Sequence, residues 1–155
     1  MNDAPPAAAL NDERIPLIVE SYRRLTGSAL LDFLPDDHRE LALALWYAPR
    51  AVVAHGTQAD PVFFYGNRLA LQLFEMSFEE FTQLPSRLSA EAPAREERAS
   101  LLERVASRGF VEDYAGMRIA KSGRRFMIEH GTVWNLVDEA GVNCGQAATF
   151  AVTTS

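Results

Sequence analysis

The chain has 155 residues, 48% of them hydrophobic and 23% charged, with a net charge of −6, which fits one domain with a core of its own and argues against a general nucleic-acid binder. A single cysteine, Cys144, excludes an internal disulfide and a cysteine-rich metal site. No apolar run reaches the ~18 residues of a membrane helix and no basic start marks a signal peptide, so a cytoplasmic protein that contacts neither membrane nor nucleic acid is the expectation.

Residues 1–14 lack periodicity and read as a flexible tail. Residues 15–48 read as a helical extension. Pro16 suits a first helical turn, Leu17, Ile18, Tyr22 and Leu25 recur at helical spacing, and Gly27 ends the run. Leu30, Leu31, Phe33 and Leu34 form a short apolar stretch. Asp36 or Asp37 caps a second helix through Leu41, Leu45 and Trp46.

From residue 50 to 155 the texture changes. Ala51–His55 and Val62–Tyr65 read as a β-hairpin. Asn67 caps a short helix, Ser77 and Glu80 have capping-box spacing for another, and a longer helix runs from about Pro93 to Arg108, stopped by Gly109. Leu101, Leu102 and Val105 form its inward side. Three strands follow, at about 110–120, 124–137 and 142–152, separated by glycine-containing turns. Strands segregated in this way make an α+β domain.

Charge is distributed unevenly. Residues 1–86 carry 6 basic and 12 acidic side chains, residues 87–125 carry 9 and 6, and residues 126–155 carry none and 3. The middle segment is either a solvated, ion-paired helix face or a surface for anions and acidic partners. Within it, Arg87, Arg95, Arg98 and Arg118 pair internally with Glu91, Glu96 or Asp113, or recognise a carboxylate-bearing ligand at the mouth of the fold.

Alternation along the strands marks a candidate site. On the middle strand of the last three, Phe126, Ile128, His130, Thr132, Trp134 and Leu136 share one face. On the last strand, Val142, Cys144, Gln146, Ala148, Phe150 and Val152 do. His130, Thr132 and Gln146 are therefore expected to point inward, either into an internal hydrogen-bond network or into a ligand cavity walled by Trp134 and Phe126. On the preceding strand Tyr114 and Arg118 share a face, and a bulge near Gly116 is expected to switch faces there. The candidate ligand residues are thus His130, Thr132, Trp134, Gln146, Phe126, Tyr114 and Arg118.

The segments HGTxxDPVFFYGNRLALxLFE (55–75), LPSRLSAE (84–91), REER (95–98), YAGMRI (114–119), SGRRFMI (122–128), VWNL (133–136) and GQAATF (145–150) resemble, in order, the MEKHLA domain family, a branch of the PAS-like sensor fold. The resemblance implies a five-stranded antiparallel sheet with helices over one face. It also implies a sensory or regulatory module, of a kind attached to plant homeodomain–leucine-zipper regulators and found as stand-alone proteins in bacteria and algae. Such modules often pair through flanking helices, so a protein partner or a homodimer through the N-terminal helices is expected alongside a possible small-molecule ligand.

No cofactor is specified. Cys144 lies on a predicted strand rather than a helix, which misplaces it for covalent flavin photochemistry, although Gln146 is where a glutamine could bond a flavin. Residues 66–129 contain no histidine for a haem. His38, His55 and His130 lack paired metal-ligand spacing. No catalytic signature is present, so enzymatic use of His55 or His130 ranks below a ligand-binding module and below an interaction module with a filled core.

Overall fold

The computed structural model describes residues 4–31, 35–89 and 92–151. Helices α1 (Ala7–Asn11), α2 (Ile15–Thr26) and α3 (His38–Trp46) precede strands β1 (Ala51–His55) and β2 (Phe63–Gly66). Helices α4 (Arg68–Phe74) and α5 (Phe78–Phe81), a 3-10 turn (Ser86–Ser89) and α6 (Ala92–Arg108) follow. Strands β3 (Phe110–Ile119), β4 (Arg125–Val137) and β5 (Asn143–Ala151) complete the chain. The strands form one antiparallel sheet in the order β2-β1-β5-β4-β3.

Local chemistry sets most boundaries as the sequence reading expects. The Asp37 side chain accepts from the Glu40 N–H, Ser77 and Glu80 form a reciprocal capping box, and Gly27 ends α2 in the left-handed region. Asn67 does more than cap α4. Fully buried, its Oδ1 accepts from the backbone N–H of Val52 (3.0 Å) and Ala70 (3.2 Å), while its Nδ2 donates to the carbonyls of Leu45 (3.1 Å) and Arg50 (2.8 Å). One amide thereby ties α3, β1 and α4 together.

One expectation is corrected. The segment read as a tail contains α1, whose Ala9 and Leu10 are buried. The Leu10 carbonyl is bonded to His38 Nε2 at 2.9 Å, and Arg14 clasps Asp12 at 2.8–2.9 Å. Five residues of helix carry too little periodicity to read from sequence. The helices between β2 and β3 cover one sheet face, as expected, and the N-terminal extension packs on the other. Helices α4 and α6 lie on one side. On the other, Trp134 of β4 is fully buried against α2, its ring 4.8 Å from that of Tyr22 and its Nε1 donating to the Ile18 carbonyl at 3.1 Å.

The strict alternation expected along β4 does not hold. The β4–β5 register shifts between Glu129 and Thr132, and His130 there has φ 53° and is exposed. This bulge reverses the faces. Before it, Phe126 and Ile128 face the α4–α6 side. After it, Val133 and Asn135 do, while Thr132, Trp134 and Leu136 turn to the N-terminal helices. A second irregularity sits beside it on β3, where Asp113 has φ 56° and the register shifts on both sides of Tyr114. It brings Val111, Tyr114, Gly116 and Arg118 to the α6 side, so the predicted switch of faces begins upstream of Gly116.

Candidate functional site

Between the sheet and its α4–α6 cover lies a cavity of about 60 Å3. Its floor is Val53 and His55 of β1, Ile128 and Val133 of β4, and Gln146, Ala148 and Phe150 of β5. Phe74 of α4, Ser89 of the 3-10 turn and Leu101 of α6 close it, and Tyr114 and Arg118 of β3 line it from the sheet edge. Most of the wall is apolar, with a small number of polar groups, as ligand sites commonly are.

The polar groups are held in fixed orientations. Asn135 Nδ2 donates to the Val105 carbonyl of α6 at 3.1 Å, and Gln146 Nε2 donates to Asn135 Oδ1 at 3.1 Å. A carbonyl only accepts, so Asn135 must turn its NH2 to Val105 and its oxygen to Gln146, and Gln146 must answer with its own NH2. Gln146 Oε1 is left buried with no donor, although the residue is only 9% exposed. His55 Nδ1 meets the Gly56 carbonyl at 2.9 Å. Beside it β1 and β5 approach closely: a Cβ at Gly145, which has φ 145°, would stand 2.2 Å from the His55 carbonyl oxygen, so only glycine fits. At the other end Arg118 is 7% exposed, donating from Nη1 to the Met117 carbonyl (2.9 Å) and from Nη2 to Tyr114 Oη (3.0 Å).

The seven sequence candidates separate accordingly. Gln146, Tyr114 and Arg118 line the cavity. Phe126 stands behind its wall, edge-on to Phe74 at 5.0 Å. His130 is on the surface, and Thr132 and Trp134 are buried on the opposite face of the sheet. Asn135 was concealed because strict alternation placed it outside; Gly131, a glycine inside a strand, was the signal for the bulge that brings it in. Of the arginines, Arg87 pairs with Asp60 at 3.1 Å. Glu91, an expected partner, lies outside the described residues, as do the side chains of Arg95 and Arg98. The volume is well below the ~300 Å3 at which sites for drug-sized molecules begin. The three-ring system of a flavin does not fit it, and Cys144 sits on β5. Among the described residues, no three His, Cys, Asp or Glu side chains could share a metal ion, and no helix is long and apolar enough to cross a membrane.

The fold is found in solved proteins. A PAS domain from Colwellia psychrerythraea superposes with a TM-score of 0.65 at 19% identity, covering 75% of this chain and 96% of that one. The light-state dimer of the fungal blue-light photoreceptor Vivid gives 0.61 at 16% identity, covering 97% of each chain. In sequence, the chain is 23% identical over 128 residues to the homeobox-leucine zipper protein HOX10 of Oryza sativa, covering 82% of this chain and 15% of that protein's length. The family model described as the MEKHLA domain matches residues 12–154. The chain belongs to the MEKHLA domain family, built on a PAS-like fold.

Proposed function

We propose that the domain is a sensory or regulatory module that takes up a small ligand between sheet and α6 and reports its presence through protein contacts. The observation that carries this reading is the Gln146 Oε1, a buried acceptor without a donor in a mostly apolar cavity. A buried acceptor of this kind costs stability until something donates to it. A ligand that donates there pulls on a relay already bonded to α6 through Asn135 and Val105, so occupancy of the cavity bears on the helix that covers it. The volume limits the ligand to a few non-hydrogen atoms unless α6 moves outward.

The reporting surface in this proposal is the outer side of α2 and α3, since their inner sides are used up in packing (Ile15, Ile18, Val19 and Tyr22 of α2; Leu41 and Leu45 of α3). A partner protein or a second copy docks there. The domain acts by binding rather than by catalysis, in the cytoplasm. The narrowness of the cavity favours one further reading, an interaction module with a filled core. Native mass spectrometry of freshly purified protein, beside the Gln146→Leu variant, separates the two. Bound mass on the wild type that the variant loses supports the ligand reading. A bare wild-type chain whose partner binding is untouched by Gln146→Leu supports the filled core.

A further inference from the structure

Arg118 differs from the other well-placed cations of this protein. Arg14, Arg87, Lys121 and Arg124 each meet a carboxylate, on Asp12, Asp60, Glu80 and Glu75 respectively, and each is substantially exposed. Arg118 is the more buried group, and among the described residues it makes no ion pair. Its bonds go to a neutral carbonyl and a neutral phenol, and the Tyr114 ring stands 5.5 Å from its guanidinium carbon. Of the carboxylates expected to serve it, Asp113 and Glu96 are exposed and line a groove between α6 and β3, and Glu91 lies outside the described residues. Two neutral acceptors satisfy N–H groups but do not compensate the charge, for which no carboxylate is in place among the described residues, and an uncompensated buried charge is costly.

The arrangement is built rather than incidental. Gly116, between the two residues, clears the space they occupy: a Cβ there would fall 2.3 Å from Tyr114 Oη and 3.1 Å from Arg118 Nη1. Tyr114 reaches across the strand and holds the guanidinium at the cavity edge, leaving further N–H groups in a planar fork suited to a carboxylate. Beyond it the wall is apolar, with Phe74, Ile128, Val133 and Phe150.

We propose that the cavity receives a small organic carboxylate, its charged head set against Arg118 and its short apolar body lying along Ile128 and Phe74. The proposal rests on the ligand-binding reading above and names the chemical class of that ligand. The cavity volume of about 60 Å3 keeps the body short.

Acetate, propionate and butyrate are titrated into the full chain at constant ionic strength, with propionamide as the neutral match for propionate. Binding is followed by side-chain methyl NMR shifts of Ile128 and Val133 and by thermal unfolding. The expected result is saturable shifts and a raised melting temperature with the carboxylates, at least tenfold weaker binding of propionamide, and at least tenfold weaker carboxylate binding in Arg118→Gln with partial recovery in Arg118→Lys. The wild-type comparison of acid against amide stands even if a variant fails to fold. Equal binding of propionamide, or full affinity in Arg118→Gln, overturns the carboxylate assignment and leaves the ligand reading intact. No binding by any of the four also overturns it, and the native mass of the purified protein then decides the ligand reading by itself.

Discussion

Trp134 supplies the sharpest test of the reversed β4 register. The structure sets it against α2, on the far side of the sheet from the cavity, with its indole N–H bonded to Ile18 and its ring edge-on to Tyr22. Trp134→Phe retains an aromatic ring against Tyr22 but removes the donor and one ring of the indole. The lost bond is worth about 1 kcal/mol, and the unfilled space beside a fully buried site about 1–2 kcal/mol more, for a total of about 2–3 kcal/mol. Trp134→Ala also forfeits the ring pair, and its cost rises to about 4–6 kcal/mol. Urea unfolding followed by circular dichroism reads this directly: with a slope of about 2 kcal/mol per molar, the midpoint of Trp134→Phe falls by about 1 M or more at unchanged slope. A cycle with Tyr22→Leu should show coupling of about 1 kcal/mol between the two sites. An unchanged midpoint, or additivity with Tyr22→Leu, would refute the packing of α2 on this face. A Trp134 variant that alters occupancy of the cavity while leaving stability intact would restore the strict alternation.

Three further outcomes follow from the same geometry. Asn67→Ala strips four buried hydrogen bonds from the junction of α3, β1 and α4 and should cost about 3–5 kcal/mol in the same unfolding assay, far more than the ~1 kcal/mol of an ordinary helix cap; a cost near 1 kcal/mol would leave it a cap and nothing else. His130, exposed at φ 53°, should tolerate glycine within about 0.5 kcal/mol and resist valine by about 1–2 kcal/mol; the opposite order would place it in extended strand. Burial pushes the Asp12 carboxyl up, but hydrogen bonds from Arg14 outweigh it and hold the group below its usual value. With the folded value below the unfolded one, the stabilisation is complete above about pH 4 and fades as pH falls through the folded value. The protection of α1 and α2 amides against hydrogen exchange, taken relative to the intrinsic rate at each pH, should therefore fall in that acid range in the wild type, and Asp12→Asn should lack that component; identical acid profiles would dismiss the clasp.

The order of elements, most helix boundaries and the hairpins were legible in the sequence because they rest on short-range chemistry, whereas the single five-stranded sheet was what the family resemblance implied. Ser77 with Glu80, Asp37 and Gly27 act on backbone groups within a few residues of themselves, and the turns at 121–123 and 138–141 join neighbouring strands. Gln146 was legible as an inward polar group because β5 keeps its alternation over the stretch it shares with β1, from Ala51 opposite Phe150 to His55 opposite Gln146. Which face each β4 residue takes was decided only by the tertiary structure. The bulge at His130 is one residue long and adjoins a matching irregularity at Asp113 on the next strand. Alternation has a period of two, so one extra residue exchanges every later side chain between faces. Trp134 went to α2 and Asn135 to the cavity for that reason. That Arg118 meets no carboxylate among the described residues was equally beyond reach of the sequence, since several acidic residues lie near it along the chain and only the tertiary structure shows that Asp113 and Glu96 are exposed rather than paired with it.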